Sequence, residues 1–91
     1  MHNFRQLTIW KDAMKLAKVI YKLTDSFPSQ EKYGLTSQIN RAVISIASNI
    51  AEGSSRSTDK DFKHFLSMSI GSLFELETQI ILATELDLLI I

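Results

Sequence analysis

Asp61 and His64 stand three residues apart, so on a helix a carboxylate and an imidazole would share one face, a spacing that acid-base or metal chemistry could use. The pair has no counterpart elsewhere. A metal-binding helical bundle draws ligands from several helices, and the only other histidine, His2, lies far away in the sequence. The absence of Cys removes thiolate ligands, thiol nucleophiles and disulfides together. Serines are numerous, but none stands at a recognisable triad spacing from a His or Lys, and no Gly-rich phosphate loop occurs. These patterns point to no catalytic residue, cofactor, metal or small-molecule substrate, and so to a protein that is not an enzyme.

Charge is more informative. Lys11, Lys15, Lys18 and Lys22 recur at helical spacing and form one narrow basic stripe, the only one in the chain. Four lysines so placed could meet the phosphates of a nucleic acid, although the lack of interleaved aromatic or Arg residues favours a solvated face. The net charge is zero, yet all ten Lys and Arg lie between Arg5 and Lys63 against six acids, while the residues from His64 onward carry four acids and no base. Such polarity steers a partner or orients subunits and says nothing of the fold. Glu77 conflicts with its surroundings: helical phase places it among Leu66, Ile70, Leu73 and Ile81. An ionised carboxylate cannot be buried there cheaply without a partner. Glu77 is therefore expected to be largely buried and hydrogen-bonded to a neighbouring helix, with Arg41, Ser45 and Asn49 the candidates by type, in a role that sets helix register.

The elements that must position these residues are helices. Ninety-one residues with 45% hydrophobic content make one small globular domain, of a size that often relies on oligomerisation. No signal-like segment opens the chain, which reads as cytoplasmic. A first helix is expected over about 8–26, capped by Thr8 and ended by Phe27–Pro28, with Ile9, Ala13, Leu16, Ala17, Ile20 and Leu23 on its apolar side. A second, over about 36–53, is capped by Thr36 and stopped by Gly53. Its apolar side holds Ile39, Val43, Ile46 and Ile50; its polar arc, Gln38, Arg41, Ser45, Ser48, Asn49 and Glu52, is mostly short and admits either a plain surface or a closely approaching helix. A third, over about 58–87, turns Phe62, Phe65, Leu66, Leu73, Leu76 and Ile80 inward. Ser69 also points inward, its hydroxyl bonding the Phe65 carbonyl, and Ser67 and Gly71 on the polar arc invite a close neighbour, the arc of the second helix. Beyond Gln79 this helix is apolar on nearly all sides and must be covered. Glu75, Glu77, Glu85 and Asp87 interrupt the run, so no membrane span is expected.

SIASNIAEG, preceded by YGLTSQINRA and followed by FLSMSIGSLFELETQI, resembles the bacterial four-helix bundle proteins related to the 23S ribosomal RNA intervening-sequence protein, from about Phe4 to Leu89. The resemblance implies an all-α, antiparallel up-and-down bundle with three helices in this chain and a fourth beyond residue 91. It also implies a ring-shaped homopentamer, and in one similar branch, the accessory proteins of diversity-generating retroelements, work with a reverse transcriptase and nucleic acid. Asn49, Glu52, Gly53, Arg56, Ser72, Glu75 and Glu77 fall at the family's characteristic positions and, with Arg41 and Ser45, become candidate structural or interface residues. Two departures stand out: Ala47, where relatives often carry Pro, and Asp87, where a helix-ending Gly is usual. The functional expectation is a non-catalytic homo-oligomeric scaffold that binds RNA or a nucleoprotein; the alternative is a protein-only assembly module.

Overall fold

A computed structural model describes residues 1–31 and 33–89, and among them every regular element is helical. The chain enters through a single 3-10 turn, Phe4–Gln6, which Asn3 caps by accepting from the Arg5 N–H (3.2 Å). Three helices follow: α1, Thr8–Thr24; α2, Leu35–Ser54; and α3, Asp59–Glu85. A second 3-10 turn, Ser29–Glu31, lies between α1 and α2. Successive helices are antiparallel, since Thr24 at the end of α1 bonds Asn40 near the start of α2, and Gly53 at the end of α2 abuts Phe65 early in α3.

Helix α2 is the centre of the unit. Ile39 and Val43 are wholly buried, and Ala42, Ile46, Ala47 and Ile50 nearly so. Each large aliphatic side chain removed from water in this way contributes about 1.5–3 kcal/mol before entropy is counted. Ala13, Ile20 and Phe27 reach α2 from one side and Leu76 and Ala83 of α3 from the other. Among the described residues, helices α1 and α3 each pack on α2 and not on each other.

The helix ends differ from the sequence reading in instructive ways. Thr8 is the first helical residue of α1 and not its cap; Leu7 takes that position without a side-chain bond, because the incoming 3-10 turn already fixes the chain's direction. Thr36 likewise lies inside α2, with Gly34 before it and no side-chain cap. Gly53 is no left-handed stop: α2 runs through it to Ser54 without a positive φ, and its lack of a Cβ serves packing against Phe65. Thr58 does cap α3, its Oγ1 accepting from the Asp61 N–H (3.1 Å), and Asp59 and Asp61 sit in the first turn where the helix dipole favours them.

Asp87 performs the task that the resemblance gives to a glycine at this position. It adopts φ 59°, and the N–H groups of Leu88 and Asp87 donate to the carbonyls of Ala83 (3.0 Å) and Thr84 (3.1 Å), the paired bonds of a Schellman stop. Leu88 then folds back on the core. A Cβ in this conformation is strained, so Asp87→Gly is expected to stabilise the protein by about 0.5–1 kcal/mol, seen as a raised urea midpoint with an unchanged slope.

Helix α3, 27 residues with a mean hydropathy of 1.2 over its most apolar stretch, is long and apolar enough by length and composition to cross a bilayer. Against insertion stand Glu75 and Glu77 near the middle of the helix, each costing up to ~3 kcal/mol at a bilayer centre.

Candidate functional site

Small polar side chains line the junction of α2 with α3. Ser69 is buried and donates to the Ile46 carbonyl of α2 (2.9 Å), across the helix pair and not back to Phe65. One turn on, Ser72 bonds Ser45 (3.0 Å), whose hydroxyl and carbonyl both accept from the Asn49 amide (3.1 and 2.9 Å). Ser45, Asn49 and Ser72 thus meet as the two facing arcs led us to expect. Ser67 and Gly71 do not take part: both are exposed, and nothing lies within 4 Å of where a Gly71 Cβ would stand. The close approach is at Gly53, where a Cβ would lie 2.6 Å from Phe65 Cβ. Farther out, exposed Glu52 pairs with Arg56 (3.5 Å), which also covers the Phe65 ring at 4.6 Å.

Glu77 is exposed, and among the described residues it makes no bond to Arg41, Ser45 or Asn49. Its phase relative to Ile70, Leu73 and Ile81 is as read, but that side of α3 is not the buried one. The residues turned to α2 are Phe62, Phe65, Ser69, Ser72, Leu76, Gln79 and Ala83, while Leu73 is 42% exposed, Ile81 53% and Ile70 54%. The reason is spatial. Along the middle of α3 the junction with α2 is close and takes the short side chains of Ser69 and Ser72, leaving Ile70 and Leu73 on the flank, so Glu77→Ala removes no buried partner. Glu75 and Arg41 are exposed as well.

Between α1 and α3 runs an open apolar groove of about 440 Å³, floored by Ile46 and Ile50 and walled by Ile9 and Leu16 on one side and Leu66, Ile70 and Leu73 on the other. Asp12 is its one charged lining residue. The opposite flank of α3 is also apolar and exposed, through Met68, Leu82 and Leu86, and Phe74 points outward between the two at 63% exposure.

Lys11, Lys15, Lys18 and Lys22 are all exposed on the side of α1 away from α2. Beside that stripe, at the junction of α1 with the first turns of α2, Tyr21, Tyr33, Thr36, Asn40, Arg41 and Ile44 line an open hollow of about 490 Å³. The sequence reading missed this cluster, because Tyr21 and Arg41 are twenty positions apart; the signal was Tyr21, three residues from Lys18 on the same helix. Among the described residues no group of His, Cys, Asp or Glu side chains comes together to hold a metal, and Asp61 and His64 remain a solitary exposed pair.

The family model of the 23S rRNA-intervening sequence proteins matches residues 5–90. The chain belongs to that family. It is a family of small helical proteins of unclear function, not known as one of enzymes. No curated protein matches the chain at a significant level. Within this 23S rRNA-intervening sequence protein family, the matched span takes in all three helices, the polar junction of α2 with α3, and both apolar flanks of α3.

Proposed function

We propose that this protein is a non-catalytic, homo-oligomeric helical scaffold. The observation that carries the reading is that α3 is apolar and exposed on two sides at once, with Ile70, Leu73 and Ile81 on one flank and Met68, Leu82 and Leu86 on the other. A single further helix covers only one of them. A fourth helix, as the resemblance implies, closes the groove between α1 and α3, and the second flank is left for a neighbouring subunit. Exposed apolar surface of this extent marks an interface, and closed rings satisfy it without open ends. Cover by protein and not by lipid fits the mid-helix carboxylates, which a protein neighbour or solvent can meet. The resemblance makes a pentamer the expected stoichiometry. Light scattering on a full-length chain tests this: an assembly near five chains is expected, and a monomer at micromolar concentration overturns it.

A second reading is that the scaffold carries nucleic acid on the α1 stripe, favoured by four lysines that are exposed together. Changing Lys11, Lys15, Lys18 and Lys22 to Gln is then expected to weaken binding and flatten its salt dependence by about 0.7–0.9 per contact in the log-log slope, with helix content unchanged. Absent binding, or binding unmoved by the change, favours a protein-only assembly module.

A further inference from the structure

We propose that the hollow between α1 and the start of α2 takes an unpaired nucleotide of a single-stranded nucleic acid, its base against the rings of Tyr21 and Tyr33 and its phosphate on Arg41 and Lys18. The proposal rests on the nucleic-acid reading of the α1 stripe and gives that reading a site. Lysines alone offer only charge, which any polyanion satisfies; base recognition needs aromatic faces, and the fold supplies them where the sequence showed none. Tyr21 is 41% and Tyr33 89% exposed, so both rings present area to solvent at the rim. Tyr21 lies three residues after Lys18, which makes the two neighbours on the surface of α1.

The floor and wall carry the polar groups such a ligand needs. Thr36 Oγ1 is buried and has no hydrogen-bond partner among the described residues. Asn40 accepts from the Thr24 hydroxyl through Oδ1 (2.9 Å), and its amide N–H groups donate to no partner among the described residues. Arg41 is exposed and makes no ion pair among the described residues, unlike Arg56 with its Glu52. Its planar fork suits a phosphate. Two acids stand near the hollow, Asp25, exposed just past the end of α1 and one turn beyond Tyr21, and Glu31, whose Oε2 lies 3.5 Å from the Cβ position of Gly34; they favour a single phosphate over a dense run of them. Because stacked bases in a duplex keep their faces from protein side chains, a site built on aromatic rings selects unpaired strands.

The test is fluorescence anisotropy with a labelled oligouridine of about 12 nucleotides, titrated with the full-length protein over a series of salt concentrations. Tyr21→Ala and Tyr33→Ala are each expected to weaken binding roughly 5-fold to 100-fold while leaving the salt slope unchanged, because stacking releases no counterions. Tyr21→Phe and Tyr33→Phe retain binding. Arg41→Gln lowers the slope by about 0.7, the value of one single-strand phosphate contact. An RNA duplex of the same length is expected to bind more weakly and to be indifferent to the tyrosines. Far-ultraviolet circular dichroism checks that the variants keep their helix content. Tyrosine variants that bind like the parent, while the four-lysine variant does not, overturn this site and spare the stripe. A parent that does not bind the oligonucleotide at low salt overturns both.

Discussion

Gly53→Ala is expected to destabilise the protein by about 1–3 kcal/mol, although the same change in an open helix gains close to 1 kcal/mol. The added Cβ would stand 2.6 Å from Phe65 Cβ and 3.0 Å from Phe62 Cδ1. The nearer atom is the root of a side chain, so no rotamer change clears it; α2 and α3 must move apart or tilt, disturbing the bonds from Ser69 and Ser72 to α2. Truncating Phe65 to Ala does not rescue the variant, since the offending Cβ remains. Gly71 is the control. Nothing lies within 4 Å of its position, so Gly71→Ala is expected to stabilise by up to about 1 kcal/mol. Thermal melts read the pair directly, with roughly 4–8 °C per kcal/mol for a domain of this size. Equal melting of the Gly53→Ala chain and its parent would show that the spacing of α2 and α3 is not held as the structure has it.

Placing acids on the two flanks of α3 is expected to have two different outcomes. Met68→Asp with Leu82→Asp sits on the flank assigned to a neighbouring subunit. Charge there should cut association by at least about 30-fold, the effect of losing about 2 kcal/mol at an interface anchor, and leave smaller species with full helix content. Ile70→Asp with Ile81→Asp lies on the groove flank, where a covering helix of the same chain is proposed. That pair should lower the melting temperature as well as the assembled mass. Sedimentation velocity alongside a melt separates the two, and identical behaviour of both pairs would refute the division of labour between the flanks.

How much of this was legible beforehand depends on how strongly each helix is amphipathic. In α1 and α2 the long apolar residues gather mainly on one side, with Val19 and Ile44 as exposed exceptions, so Ala13, Ile20, Ile39, Val43, Ile46 and Ile50 could be placed inside from the pattern, and they are buried. Helix α3 is apolar around most of its circumference, and a period cannot choose a buried face when nearly every face qualifies. Size decided it. The side toward α2 is the one carrying Ser69, Ser72 and Ala83, whose short side chains allow the close packing, while Leu73, Ile70 and Ile81, assigned to the interior by hydrophobicity, are left on the flank. The same preference for small residues turned Gly53 from a presumed stop into a contact point. Helix existence needed only periodicity and composition; caps were harder, because Thr8 and Thr36 have the right chemistry one and two positions too far into their helices. The candidate nucleotide hollow was out of reach, since it joins residues from two helices whose facing sides no single-helix pattern records.

Because α1 and α3 meet α2 and not each other, the contacts between α-helices among the described residues join helices adjacent along the chain, while the N-terminal segment reaches farther, His2 N–H donating to the Ser54 carbonyl at the end of α2 (2.9 Å). Such a topology has low contact order, and each docking step closes only a short loop, between Thr24 and Leu35 or between Ser54 and Asp59. The three-helix unit is therefore of the kind that folds on the microsecond to millisecond scale. In the proposed scaffold, subunits would then acquire their own shape before they meet, and assembly would join surfaces already formed.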